Sequence, residues 1–257
     1  MRSNRLLLLI GWILREPALR RVSYLVFFVM LFSVVSRASR VAGTGSPEAL
    51  LATALALTAT RVVGSSYPFL IALVAVLATL SVAVQREAGG LIALQALGFR
   101  RAHILVAHTL SILIFLVAPT LVAFLVLPPL VDPQVAAAGR IEFLYPSEYW
   151  TAMPRIFLAI VFLALFAMAF VLLIRRPAVA FGALVTFLFL GWYIQGPLGV
   201  YALVTPPAAF QAAYGEGLYT PEGIPFDGAL LYLPYLFSAA AAYLVALAFV
   251  NRRGEFG

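Results

Sequence analysis

The sequence predicts an all-α integral membrane protein with six membrane-spanning helices. Three observations predict it. Of 257 residues, 64% are hydrophobic and only 11% charged, against roughly 45–50% and about 25% in an ordinary soluble domain. The apolar residues gather into runs whose length suits a bilayer core of about 30 Å, which takes about 20 helical residues to cross. All 17 basic residues are Arg, standing singly or in pairs at the ends of those runs.

Taken in order, Arg2 and Arg5 precede the run Leu6 to Leu14, which reaches only about 14 Å as a helix and cannot span. Arg15-Glu16-Pro17 follows where a signal-peptide cleavage site would need small residues. This stretch, within residues 1–20, is expected to lie as a helix in the cytoplasmic interface, with Trp12 at headgroup depth and its end near Pro17. Span 1 is then Val22 to Ser36, with an outer Gly/Ser-rich loop from Arg37 to Pro47. Ala49 to Thr60 is expected as an outer-surface or re-entrant helix, because joined to span 2, Ser66 to Val84, it would exceed any bilayer.

Gln85 to Arg101 returns the chain to the cytoplasm, and span 3 follows within Ile104 to Val131, with a kink expected at Pro119 and closure at Pro128-Pro129. Asp132 to Met153 reads as an outer loop with an aromatic belt of Tyr145, Tyr149 and Trp150. Span 4 is Ile156 to Ile174, and Arg175-Arg176-Pro177 turns tightly into span 5, Ala178 to Ile194. Gln195-Gly196-Pro197 and Pro206-Pro207 divide the next apolar stretch, Leu198 to Tyr214, into broken or re-entrant outer helices between spans 5 and 6. Span 6 runs from Gly228 to Val250.

Charge then sets the orientation. The segments assigned inside hold Arg2, Arg5, Arg15, Arg20, Arg21, Arg86, Arg100, Arg101, Arg175, Arg176, Arg252 and Arg253. Five Arg and seven of the ten acids fall outside, so with twelve Arg inside the positive-inside rule puts both termini of a multi-pass plasma-membrane chain in the cytoplasm.

The same composition narrows the chemistry. Without Lys there is no phosphate-binding loop of the Walker type and no Schiff base; without Cys there is no thiolate site. No carboxylate falls inside a span, which disfavours ion-coupled carriage. His103 and His108 are five residues apart and do not share a helical face, so no metal site is expected, and His108 reads as a hydrogen-bonded interior residue. No G-x-S-x-G or H-E-x-x-H motif supports catalysis.

What remains is the segment 85–101. Arg86 to Leu97 has the length of three helical turns, an acid, Glu87, at its start, and Gly98 where a helix commonly stops. Leu91, Leu94 and Leu97 follow at intervals of three, with Gln95 on the flank. From the residues alone, such a helix could equally lie on lipid or insert into a groove of another protein.

Glu87-x-Gly89-Gly90-Leu91-x-x-Leu94-x-x-x-Gly98-Phe99-Arg100 resembles the pattern between spans 2 and 3 of type-2 ABC exporter permeases. Trp12 to Leu19, with Arg15, Glu16 and Pro17, resembles that family's connecting helix before span 1. Gly90 stands where the family usually has Thr. The resemblance covers the whole chain and implies a permease subunit that forms half of a translocation pathway, beside a second copy or homologue. Two cytoplasmic ATPase subunits would carry ATP and Mg, with no cofactor in this chain. Arg86, Glu87, Gly89, Gly90, Leu91, Leu94, Gln95, Leu97 and Gly98 would form the coupling contact. A non-transporting scaffold or cytochrome-maturation subunit of the same architecture is the other reading.

Overall fold

A computed structural model describes residues 3–41, 72–131, 147–193 and 233–253, and every element among them is helical. The expected outer helices at 49–60 and 198–214, and the acidic loop after them, lie outside the described residues.

Helix α1, Ser3–Ile13, is followed by a two-bond turn and then α2, Pro17–Val41. Pro17 therefore opens a helix instead of ending one: its missing N–H is one that the first turn leaves unused, and its fixed φ suits that position. α2 also continues through Arg37 to Val41, where the sequence suggested a loop. Helix α3 is Ala72–Glu87, π-helical from Thr79 to Val84. It is followed by the short α4, Gly90–Ala96, set at a bend of 68°.

Helix α5, Arg101–Val131, runs through Pro119 without a break and takes Pro128 and Pro129 into its last turn. Helix α6, Ser147–Leu173, begins earlier than the sequence suggested, so Tyr149 and Trp150 are helical and not in a loop. Helix α7 is Pro177–Tyr193 and α8 is Leu233–Arg253.

α5 is the axis of the bundle, packing against α1, α2, α3, α4, α6 and α8. Its buried face, with Ile104, Leu105, Ala107, Ile112 and Leu116, meets Leu9 and Ile13 of α1, Val22 and Val26 of α2, and Leu77, Ala78 and Val82 of α3 in one apolar core. α6 and α7 are zipped by aromatic rings: Phe166 and Phe170, four residues apart and so on one face, hold Phe187 at 5.3 and 5.0 Å between centroids.

Among the described residues, one helix, Arg101–Val122, is long and apolar enough to cross a membrane. The bent pair Ala72–Glu87 and Gly90–Ala96 passes only if taken together. Shorter apolar helices lie at Ile160–Leu173, Pro177–Phe187 and Phe237–Arg252.

The candidate coupling elbow

The polar segment that joins α3 to α5 is built around two left-handed glycines. Gly89 has φ 76° and Gly98 φ 83°, a region where a Cβ costs about 1–2 kcal/mol. Gly89 ends α3 and starts α4, so the expected single helix from Arg86 to Leu97 is instead two pieces. Arg86 and Glu87 belong to the last turn of α3, and only Gly90–Ala96 forms α4. At the other end, the Gly98 N–H donates to the Gln95 carbonyl at 2.8 Å and the Phe99 N–H to the Leu94 carbonyl at 3.2 Å. This nested pair closes a helix at a left-handed glycine, as the sequence suggested for Gly98.

The two residues before the bend fasten it on both sides. Gln85 Nε2 donates to Glu16 Oε1 at 2.8 Å, joining the end of α3 to the α1–α2 turn. Gly90 makes room for this. A Cβ there would run into Gln85 Oε1 and come 3.3 Å from the Gln85 carbonyl oxygen. The glycine at position 90 is thus explained by the glutamine folded over it.

Arg86 does not point outward. Its Nη2 donates to the carbonyls of Ile174 at 2.6 Å, Arg175 at 3.1 Å and Val171 at 3.2 Å, and its Nη1 to Leu172 at 3.4 Å. These belong to the end of α6 and the turn to α7, where the final helical carbonyls have no successor amide to accept from. Pro177 sharpens the shortage, since it has no N–H to offer. A guanidinium fork at a helix C-terminus answers both the unbonded oxygens and the negative end of the dipole.

Burial shifts both ionisable groups. It pushes the Glu16 carboxyl above its ordinary value, with the Gln85 donor pulling partly back. It also pushes Arg86 below its ordinary range, aided by the nearby Arg175 charge. Glu16 Oε2 and Arg86 Nε are buried and make no hydrogen bond of their own.

These bonds gather the α1–α2 turn, the α3–α4 bend and the α6–α7 turn at one end of the bundle. Arg15, Arg20, Arg21, Arg100, Arg175 and Arg176 are all exposed in these connections, with Glu87 the exposed acid among them. The α4 side chains divide sharply. Leu91 (0% exposed) and Leu94 are buried in the core, so neither is available to a partner. Ile92, Ala93, Ala96 and Leu97, the last 72% exposed, form the outer face, and Gln95 is half-buried.

Deeper in the bundle, His108 is fully buried, and its Nδ1 lies 2.8 Å from Ser81 Oγ in the π-helical turn of α3. This is the interior hydrogen-bonded histidine expected from the sequence. No group of metal-ligating side chains occurs among the described residues. No protein-family model, no curated protein and no solved structure matches the chain.

Proposed function

We propose that the chain is the membrane-spanning permease subunit of an ATP-driven ABC exporter. It would cross the plasma membrane six times with both termini inside and receive energy from a separate cytoplasmic ATPase. The observation that carries this reading is α4: a short helix turned 68° from α3, anchored inward by Leu91 and Leu94 and presenting Ile92 and Leu97 to solvent. A soluble partner with an apolar groove fits that outer face, and carboxylates on the groove's rim fit the surrounding Arg residues. The Arg-rich end that bears α4 is then the cytoplasmic one. This supports the likeness to the type-2 exporter pattern on the residues that stand free, with Glu87, Ile92 and Leu97 in contact. Arg86, Leu91 and Leu94 act from behind as positioning residues.

The test is affinity purification of the tagged full chain from its own cell, with ATP hydrolysis measured on what comes down. A nucleotide-binding subunit is expected with the wild-type chain, and it should be lost, along with hydrolysis, in the Ile92→Asp/Leu97→Asp variant. Leu94→Ala should instead lower the chain's own stability by about 2–5 kcal/mol, as large-to-small core changes do. A chain that purifies without any ATPase, or whose partner ignores the Ile92/Leu97 change, refutes the assignment and favours a scaffold.

A further inference from the structure

Helices α1 and α2, joined by the turn at residues 14–16, each bury one face against α5 and leave apolar side chains exposed away from the core. On α1, Leu9 and Ile13 are buried, while Leu7, Leu8 and Trp12, at 66%, 69% and 54% exposure, face out. Leu8, Trp12 and Arg15 follow at i, i+4 and i+7, one above another on a helix or its continuation. On α2, Arg21, Leu25, Phe28 and Phe32 recur at i, i+4, i+7 and i+11, with Tyr24 beside them, and all are exposed.

From Arg21 to Phe32 the helix rises about 16 Å, close to the roughly 15 Å depth of one leaflet's hydrocarbon. Among the described residues, charge on this surface is one-signed. Arg5, Arg15, Arg20 and Arg21 are exposed, whereas the local acid, Glu16, is half-buried and engaged by Gln85. Arg15 stands in the turn before α2 and Arg20 and Arg21 in its first turns, so three of these arginines fall within residues 15–21 at the head of the α2 stripe.

Arginines at residues 15–21, an indole beside them and aromatic and aliphatic side chains along α2 complement the polarity profile of an anionic amphiphile. We propose that this outer face of α1–α2 is a binding site for an anionic phospholipid. Its phosphate would be held by Arg15, Arg20 and Arg21, with an acyl chain along Tyr24, Leu25, Phe28 and Phe32. Guanidinium forks suit phosphate oxygens in two-point geometry, and Trp is at home at headgroup depth. A protein groove would have to match arginines gathered at residues 15–21 above an apolar row one leaflet deep, which a phospholipid already matches. The proposal rests on the membrane-embedded reading above but not on the ATPase.

The experiment uses the full chain carrying Trp150→Phe and Trp192→Phe, so that Trp12 alone reports, reconstituted into phospholipid vesicles. Trp12 quenching by chain-brominated phosphatidylglycerol is compared with quenching by chain-brominated phosphatidylcholine over a range of mole fractions. Each basic residue near an anionic surface favours binding about fivefold at most. With three partly solvated arginines, the relative binding constant should favour phosphatidylglycerol by about tenfold. Arg15→Gln/Arg20→Gln/Arg21→Gln should reduce that preference to about twofold or less, and Arg252→Gln, at the far end of α8, should leave it intact. Equal constants for the two lipids, or a preference that survives the triple change, overturn the site. Trp12 that neither lipid quenches shows the face covered by protein and overturns it as well. Loss of the ATPase partner in the purification test would leave these outcomes untouched, so the two readings fail separately.

Discussion

Replacing Arg86 by Ala should loosen the bundle by about 3 kcal/mol, far more than the loss of an ordinary surface arginine. Nη2 has two hydrogens for three carbonyls, the shortest bond being 2.6 Å to Ile174 O, and Nη1 reaches Leu172 O at 3.4 Å. Two effective charge-assisted bonds at about 1.5 kcal/mol each, the low end because the group is only half-buried, give that sum. A typical exposed ion pair is worth about 0–1 kcal/mol. For a chain of this size, 1 kcal/mol corresponds to about 2–4 °C, so the melting temperature of the purified protein in detergent should fall by about 6–12 °C. Arg86→Lys keeps a charge at the end of α6 but lacks the fork, and should recover about half of the loss. Exposed Arg100→Ala provides the baseline and should stay within about 0.5 kcal/mol. An Arg86→Ala protein melting with the Arg100→Ala control would refute the claim that this side chain holds the end of α6.

Glu16 makes stability depend on pH. Burial pushes its carboxyl up in the folded chain, so the folded state binds the proton more tightly; the stability this group contributes is fully present below its unfolded value and is lost as pH rises through the folded one. Glu16→Gln should flatten this decline in a melting series across pH 4 to 8, because the amide still accepts from Gln85. Gly90→Thr should cost about 1–3 kcal/mol through overpacking against Gln85. Combined with Gln85→Ala it should cost less than the two singles added, as expected of residues in contact. His108→Leu should destabilise by about 1–3 kcal/mol by leaving Ser81 Oγ buried and unpartnered. Adding Ser81→Ala should recover part of that in the same melting assay.

The helical character of the described residues is legible because apolar runs and Arg-rich breaks are local features, and α7 lies within a residue of its expected limits. Pro17 misled because proline is compatible with either side of a helix boundary: nothing nearby distinguishes a stop from a first turn. Gly98 is legible as a cap, whereas Gly89-Gly90 breaks the helix expected from Arg86 to Leu97, as paired glycines do. Spacing alone aligns Leu97 with Leu91 and Leu94. Leu97 is turned about 120° from Leu91 on a regular helix and stands at the cap beyond the end of α4, where its side chain is exposed. The roles of Gln85 and Arg86 could not be read at all. Their partners are 69 and 85 to 89 residues distant, and no local pattern identifies which helix end will arrive beside an arginine.

The placement of those partners bears on how a load applied to α4 is shared. For α4 to swing about Gly89 alone, Leu91 and Leu94 would have to leave the core, at about 1.5–3 kcal/mol for each full exposure. For the end of α3 to part from its neighbours, the Arg86 fork must release the α6 carbonyls at about 3 kcal/mol, together with the Gln85–Glu16 bond at about 1 kcal/mol. The two routes cost similar amounts, so neither joint is a ready hinge. A smaller displacement is shared by α4, the α6–α7 turn and the α1–α2 turn as one body. Under the exporter reading, a partner that moves α4 therefore moves three helical connections together, with the π-helical turn at Thr79–Val84 as the next irregular place along α3 where the motion can be absorbed.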